Sequence, residues 1–374
     1  MIKKSAILSL VIGCLLVWLS PGPVQAESGL SVLASSAEMD FPLRLNFNLS
    51  AASDVDITDI RLHYRVERME HARITSEVYL EFAPATSVAE QWTWDMRKTG
   101  GLPPGSSVAY WWTVADAKGN KVKTDSVSLK IEDNRYDWSH LTEGKVTLYW
   151  YQGNDSFAAE VMATAQNALA RLAADTGAEL EEPAKIYLYA DSQDLRGSMI
   201  YPQEWTGGVA FIRYGIIAIG IAPNDLDWGR RAIAHELTHL VVHQVTFNPY
   251  GGLPTWLDEG LAMKAEGEMS PEFAAVLHKA IEENGLISVQ SLSSPFSAYA
   301  DESLLAYAQS YSIGKFLIDS YGQEKMFELL NTFARGSGYD EALDAIYGFD
   351  MDGLDARWRG HIAAGNRSPQ PVEG

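Results

Sequence analysis

The sequence has almost no cysteine. Its 374 residues include one, Cys14, so no disulfide can form within the chain. Small exported domains often need disulfides because their cores are small, whereas a chain of this length can bury a large core without them. We therefore expect burial of apolar side chains to hold the fold together, even if the protein is exported.

Basic residues are also scarce relative to acidic ones. The chain has 29 Lys and Arg against 49 Asp and Glu, which gives a formal net charge of −20. Proteins that bind nucleic acid need a basic surface to replace the counterions of the phosphates, and anionic membranes attract basic segments. The composition therefore predicts no nucleic-acid partner and disfavours docking on an anionic lipid surface.

Long hydrophobic runs are missing except at the N-terminus. Residues 6–19 are uncharged and apolar, follow Lys3 and Lys4, and precede small residues at 24–26. The run is shorter than the roughly 20 residues that span a membrane, and the layout is typical of a secretory signal peptide, which we predict over residues 1–26. An uncleaved anchor is the alternative, and it is the only membrane attachment that we predict. We expect a secreted or cell-envelope protein of a bacterium.

Residues 27–134 have the pattern of a β-sandwich. Apolar and polar residues alternate with a period of two, which places one set of side chains on a core face. Turn residues such as Pro103-Pro104-Gly105 separate these runs, and no helical stretch interrupts them. The sequence predicts an all-β, immunoglobulin-like sandwich in the architectural sense, with strands over 43–49, 60–66, 78–82, 108–114 and 127–131.

The pattern changes after a polar segment at 132–137. A strand at 146–151, a helix at 157–174, a strand at 186–189 and a hairpin at 208–221 are expected, the hairpin turning at Tyr214-Gly215. Beyond residue 227 nearly all of the pattern is helical. We therefore predict a second, α+β domain over 145–365, followed by a flexible tail at 366–374.

One short motif carries the functional hypothesis. Residues 235–239 read His-Glu-Leu-Thr-His, within a run from 228 to 244 that has helical character. On a helix, His235 and His239 lie one turn apart on the same face, so both imidazoles can reach one Zn²⁺ ion. Glu236 lies off that face and can reach a water rather than the ion, where a general base is needed. The alternative is a surface helix with two solvated histidines, which the apolar residues around the motif disfavour.

A second segment, Trp256-Leu-Asp-Glu-Gly-Leu-Ala262, follows with Glu259 at 20 positions after His239. HExxH followed by WLxEGxA at this distance resembles the gluzincin metallopeptidases, the group of thermolysin and aminopeptidase N. The resemblance implies a zincin-like domain, one Zn²⁺ per chain, His235, His239 and Glu259 as its ligands, and Glu236 as the base. A metzincin would need Gly and His where Val242 and Val245 stand.

The resemblance extends to the segment from Tyr307 to Leu317. It looks like the helix that carries the oxyanion-stabilising tyrosine of aminopeptidase-type gluzincins, and by position that tyrosine is Tyr307, with Tyr311 one turn later as the alternative. Both could instead be core aromatics. The aspartate that follows the glutamate ligand by four residues in thermolysin-type enzymes is absent, because Met263 stands there.

The segment from Trp205 to Phe211 lacks the acid of the aminopeptidases. In those enzymes a glutamate on the strand before the active helix holds the free amine of the substrate, and here no acid occurs between Gly207 and Ile221. The strand could still pair with a substrate through its main chain. We therefore predict a monomeric zinc endopeptidase that acts on peptides or proteins. A zincin-like binding protein of the cell envelope, or an adhesion protein that uses its sandwich, are the alternatives.

Overall fold

The computed structural model describes residues 29–203, 206–297 and 300–365. The predicted signal peptide at 1–26, Trp205 and the predicted tail at 366–374 lie outside these residues. Within them, none of the helices has both the length and the apolar character that crossing a membrane requires.

The N-terminal domain forms one antiparallel sheet that folds over itself. In this sheet β2 pairs with β1, β3, β4 and β5, and β5 pairs in turn with β6 and β7. The strands are β1 (Ser31–Asp40), β2 (Arg44–Glu67), β3 (Ser76–Tyr79), β4 (Ala85–Asp95), β5 (Ser107–Asp116), β6 (Lys121–Lys123) and β7 (Val127–Lys130).

Strand β2 is the spine of this domain. The runs predicted as two strands, 43–49 and 60–66, belong to one strand of 24 residues. Register shifts between Ala52 and Ile57 divide it, so that its first part pairs with β1 and β4 and its second part with β3 and β5. A bulge increases local bend and twist, and both parts bury side chains in one core, including Phe47 and Leu62. The predicted all-β sandwich is confirmed.

The C-terminal half is built on a five-stranded mixed sheet in the order β11-β12-β10-β9-β8. Its three inner strands are parallel, and both edge strands are antiparallel to their neighbours. The strands are β8 (Ser139–Glu143), β9 (Val146–Trp150), β10 (Ala184–Tyr189), β11 (Gly208–Phe211) and β12 (Ile216–Gly220). The predicted hairpin is present as β11 and β12, and the sheet begins at Ser139, upstream of the predicted boundary at residue 145.

Most of the helices lie on one face of this sheet, whereas α2 packs through Leu195 on the other face, and together they complete the predicted α+β domain. The longest of them, α6, bends at Gly322, which has a φ of 85°. The helices are α1 (Asp155–Thr176), α2 (Ser192–Arg196), α3 (Leu226–Val245), α4 (Thr255–Glu266), α5 (Pro271–Glu282), α6 (Ala300–Ala334), α7 (Tyr339–Tyr347) and α8 (Met351–Gly365). The main core lies between β9, β10 and β12 on one side and α1, α3, α4 and α6 on the other.

The polar segment at 132–137, between the sandwich and the α+β domain, makes buried side-chain contacts. Asp133 is 1% exposed, accepts a hydrogen bond from the Tyr189 hydroxyl at 2.9 Å and pairs with Arg135 at 2.6 Å. Lys185 Nζ on β10 donates to the carbonyl oxygen of Gly105 at 2.6 Å. These contacts join the sandwich to β10, the central strand of the second domain, and fix the position of the two domains relative to each other.

Candidate metal centre

Helix α3 presents the two histidines of the motif on one face. The Nε2 atoms of His235 and His239 lie 3.0 Å apart. The opposite face of α3 is in the main core, where Leu237, Leu240 and Val241 are buried. Because the helix is anchored by that face, the two imidazoles are held one above the other and directed away from the core.

Helix α4 brings Glu259 to the same point. Its Oε2 atom lies 3.5 Å from His235 Nε2 and 3.6 Å from His239 Nε2. That oxygen is buried and has no hydrogen-bond partner among the described residues. An isolated buried carboxylate oxygen costs free energy unless a cation or a donor meets it, so its position suits a cation-binding site.

The three ligating atoms fit a zinc ion. Four ligands at roughly 2.0–2.1 Å in a tetrahedron are about 3.3 Å from one another, and the three separations here run from 3.0 to 3.6 Å. Two imidazoles and one carboxylate are also the protein ligands of a large class of catalytic zinc sites, which leave a fourth position for water or substrate.

Two carboxylates that the sequence analysis missed orient the histidines. Asp258 Oδ1 lies 2.8 Å from His239 Nδ1, and Glu266 Oε1 lies 2.8 Å from His235 Nδ1. Arg231 Nε donates to the other oxygen of Glu266 at 2.9 Å. A carboxylate on Nδ1 directs the opposite ring nitrogen toward the metal and fixes its tautomer.

The spacing of Asp258 and Glu266 from Glu259 in the sequence could have identified both residues. Asp258 directly precedes Glu259, and Glu266 follows Glu259 by seven positions, which is close to two helical turns and therefore on a similar face of α4. The position four residues after Glu259, which holds an aspartate in thermolysin-type enzymes, is occupied by Met263, buried at 5% exposure.

His243 extends the same set of contacts. Its Nε2 atom lies 3.0 Å from Asp258 Oδ2, so one carboxylate bridges His239 and His243. Burial alone would raise the pKa of Asp258, but the charge and hydrogen bonds of His239 and His243 outweigh it and hold that pKa well below its usual range. The carboxylate is thus kept ionised and able to accept from both rings.

Glu236 lies beside the histidines and against strand β11. Burial raises the pKa of its carboxyl, and the charges of His235 and His239 oppose this only in part. A Cβ added at Gly208 would come within 3.1 Å of Glu236 Oε1. The absence of a side chain at residue 208 therefore leaves the space that the Glu236 carboxylate occupies.

The edge of β11 that does not pair with β12 lies beside the Glu236 carboxylate. Gly220 N–H donates to the Gly207 carbonyl at 2.9 Å, so the alternation of an antiparallel ladder turns the main-chain groups of Gly208 and Ala210 away from β12. The Ala210 N–H points to Glu236 and lowers its pKa slightly. Because β11 is an edge strand, no other strand in the described residues pairs with the main-chain groups on this side of it, next to the candidate base.

The two candidate tyrosines on α6 face different neighbours. Burial raises the pKa of Tyr307 to about 12, and the negative charges of Glu259 and Glu236 add to the shift. Burial also raises the pKa of Tyr311, but the charges that act on it are those of Glu268, Lys315 and Asp319. The carboxylates of the candidate site therefore act on Tyr307 and not on Tyr311, which favours Tyr307 as the residue that faces the site.

A close helix crossing makes this approach possible. A Cβ at Gly260 on α4 would lie 2.3 Å from the Ser310 carbonyl oxygen on α6, so only glycine permits the two helices to pack at this distance. Glu259 and Tyr307 are carried on the two helices that meet at this crossing.

Residues 164–364 match the Peptidase MA superfamily, which is more than half of the chain. The chain belongs to this superfamily. The predicted gluzincin resemblance and the fold class, a zincin-like α+β domain after an all-β sandwich, are confirmed at this level. No curated protein matches the chain.

Several solved structures show a weaker similarity. An M1 zinc metallopeptidase from Deinococcus radiodurans is 13% identical, with 89% of this chain and 94% of that chain covered and a TM-score of 0.34. An aminopeptidase N family protein from Idiomarina loihiensis is 10% identical, with 88% and 72% covered and a TM-score of 0.35.

A third structure overlaps over a shorter region. Catalytically inactive OgpA from Akkermansia muciniphila, solved in complex with an O-glycopeptide substrate, is 8% identical with a TM-score of 0.22. That similarity covers 28% of this chain, which spans only 29% of the length of OgpA.

Proposed function

We propose that the protein is a zinc-dependent metallopeptidase with one zinc ion per chain, held by His235, His239 and Glu259. The observation that carries the proposal is the convergence of two imidazole nitrogens and an otherwise unpartnered carboxylate oxygen, with separations of 3.0–3.6 Å. Superfamily membership supports the same conclusion.

The reaction that we propose is hydrolysis of a peptide bond. When bound, zinc supplies Lewis acidity that makes a water nucleophilic near neutral pH and polarises the scissile carbonyl. Glu236 accepts the proton of the attacking water and passes it to the nitrogen of the leaving amine. Tyr307 donates its phenolic proton as a hydrogen bond to the carbonyl oxygen as negative charge develops there.

We further propose that cleavage occurs inside chains. Strand β11 offers main-chain groups beside Glu236, with which an extended substrate can pair. No acid between Gly207 and Ile221 is present to hold a free amine. The substrate would thus be recognised along its backbone and would not need a terminus at the site.

A single substitution tests the proposed chemistry. We expect Glu236→Gln to keep its zinc and its melting temperature but to lose nearly all cleavage of casein, because an amide of similar shape cannot accept the proton. Chelation of the wild type should abolish the same activity, and added Zn²⁺ should restore it. Cleavage by Glu236→Gln at the wild-type rate would refute the role of Glu236 as the base. Absence of cleavage by the zinc-loaded wild type would refute the enzyme assignment and leave a binding protein. Rapid release of single residues from short peptides with free N-termini would instead refute the endopeptidase assignment.

A further inference from the structure

A cavity of about 600 Å³ lies between the two domains and is lined by His243, the histidine that contacts Asp258 of the candidate metal centre. One wall is Met69, from the loop between β2 and β3 of the sandwich. The other walls include His243 on α3, Phe211 at the end of β11, and Phe247 after α3. A volume of this size is in the range of side-chain and small-ligand pockets.

The sandwich loop is held in place at this cavity. The Met69 N–H donates to the Arg213 carbonyl oxygen at 2.6 Å. The His71 ring stacks on Phe247, with centroids 4.1 Å apart and planes at 8°. The N-terminal domain therefore forms a fixed wall of the cavity.

The cavity lies on a defined side of the cleaved bond. The scissile bond must be near Glu236, and therefore beside Gly208 and Ala210 of β11. A peptide that pairs antiparallel with β11 has its amino-terminal part alongside the carboxyl end of the strand, which is Phe211. Residues that precede the cleaved bond would thus pass Phe211 and enter the cavity.

Most of the side chains that line the cavity are apolar or aromatic, and Arg213, His243, Thr246 and Asn248 line it as well. No carboxylate occurs among the described residues that line it, although the chain as a whole carries a charge of −20. The side chains that can contact an occupant include Met69, Phe211, Ile212, Tyr214, Phe247 and Tyr250. Surfaces of this kind gain free energy by covering a large apolar side chain and lose it by desolvating a charged one.

We propose that this cavity is a specificity pocket for a bulky apolar side chain within the three substrate residues that precede the cleaved bond. The sandwich contributes to it directly through Met69. This inference rests on the proposed peptidase function and names the substrate class of the same site: polypeptides with a large apolar residue just before the cleaved bond.

Two peptide pools test the pocket. Both are randomised decapeptides, one with a single fixed Phe and the other with a fixed Asp at the same position. The wild type should cut the Phe pool at one of the three bonds that follow the Phe. It should cut this pool at least about tenfold faster than the Asp pool, because a single methylene in a hydrophobic pocket already changes kcat/KM by about 10-fold. Met69→Ala and Phe247→Ala should each reduce that ratio several-fold. The matched control is Ile74→Ala, which removes a 61%-exposed apolar side chain from the same sandwich loop but does not line the cavity, and should leave the ratio unchanged.

Unchanged ratios in both pocket variants would overturn the inference, as would selectivity confined to residues after the cleaved bond. A second measurement separates this result from failure of the proposed function. Zinc-loaded Glu236→Gln should bind the Phe pool more tightly than the Asp pool in fluorescence polarisation, and Met69→Ala in that background should remove the difference. If the wild type cuts neither pool, the peptidase proposal fails. The binding comparison then tests the pocket by itself, and equal affinities of Glu236→Gln for the Phe and Asp pools would overturn the pocket proposal.

Discussion

Asp258 accepts hydrogen bonds from two imidazoles. Because it directly precedes Glu259, one turn of α4 supplies both a candidate ligand and the residue that orients His239. Its contact with His239 Nδ1 at 2.8 Å fixes the orientation of that ring, and its contact with His243 at 3.0 Å fixes its own. Residues of this kind keep a site in place before the metal arrives, because they reduce the freedom that the ligands would otherwise lose on binding.

Removal of Asp258 should therefore weaken zinc binding without removing a ligand. We expect Asp258→Ala to lower zinc affinity about 10–100-fold, measured by competition with a chromophoric chelator. Asp227→Ala is the matched control, because Asp227 lies on α3, the helix of the two histidines, but its side chain is 95% exposed. Wild-type affinity in Asp258→Ala would show that His239 is oriented by the helix alone.

The Tyr307 hydroxyl is expected to act in the transition state. Tyr307→Phe should lower kcat by about 10²–10³-fold with little change in KM, as for the loss of one oxyanion donor, while zinc content and Tm stay near wild type. Tyr311→Phe, one turn away near Glu268, is the control and should have wild-type kinetics. The reverse pattern would mean that the alignment is off by one turn of α6.

At the scale of elements, the crossing of α4 and α6 decides whether the ligand and the tyrosine can share a site. The helices approach at Gly260, where a Cβ would meet the Ser310 carbonyl oxygen at 2.3 Å, and Gly314 is the next small residue along the contact. Such a contact leaves no room for the neighbouring backbone to adjust, because main-chain atoms cannot change rotamer.

Gly260→Ala should therefore destabilise the fold although alanine favours helix. The intrinsic gain of about 1 kcal/mol is outweighed by overpacking against backbone, and we expect a net loss of about 1–3 kcal/mol in urea unfolding, together with lower activity. Gly360→Ala on α8, where a Cβ meets nothing within 4 Å, is the matched control and should be neutral or slightly stabilising. Equal effects of the two changes would rule out the crossing as the cause.

At the scale of the whole molecule, Asp133 connects the two domains. It lies between the sandwich and the mixed sheet, is 1% exposed, and interacts with both Tyr189 and Arg135. If the cavity beside the metal centre is a substrate pocket, its Met69 wall depends on this arrangement, since the sandwich must keep its position relative to β11.

Loss of the Asp133 carboxylate should be costly. We expect Asp133→Ala to lower the free energy of unfolding by about 3 kcal/mol, because Arg135 and Tyr189 lose a buried partner. Asp137→Ala, at an exposed position of the same segment, should change it by less than about 0.5 kcal/mol. The comparison is made by urea unfolding monitored by tryptophan fluorescence, and a similar loss for both variants would contradict a specific role for Asp133.

Local patterns in the sequence determined much of this protein. Period-two alternation identified the sandwich, the helical run around His235 predicted α3, and the two motif segments nominated His235, His239 and Glu259, which the fold brings together. These features are readable because strand and helix periodicity and the i, i+4 spacing of ligands are properties of short segments.

Contacts between distant segments were decided only by the tertiary structure. Two predicted strands are one bent β2 because its two parts bury one core, and the pairing of Glu266 with His235 depends on how α4 packs against α3. The choice between Tyr307 and Tyr311 depends on the rotation of α6, and the cavity exists because the Met69 loop reaches the end of β11. Each of these features depends on how elements far apart in the chain pack together. The sequence pattern of a single segment carries no information about that packing.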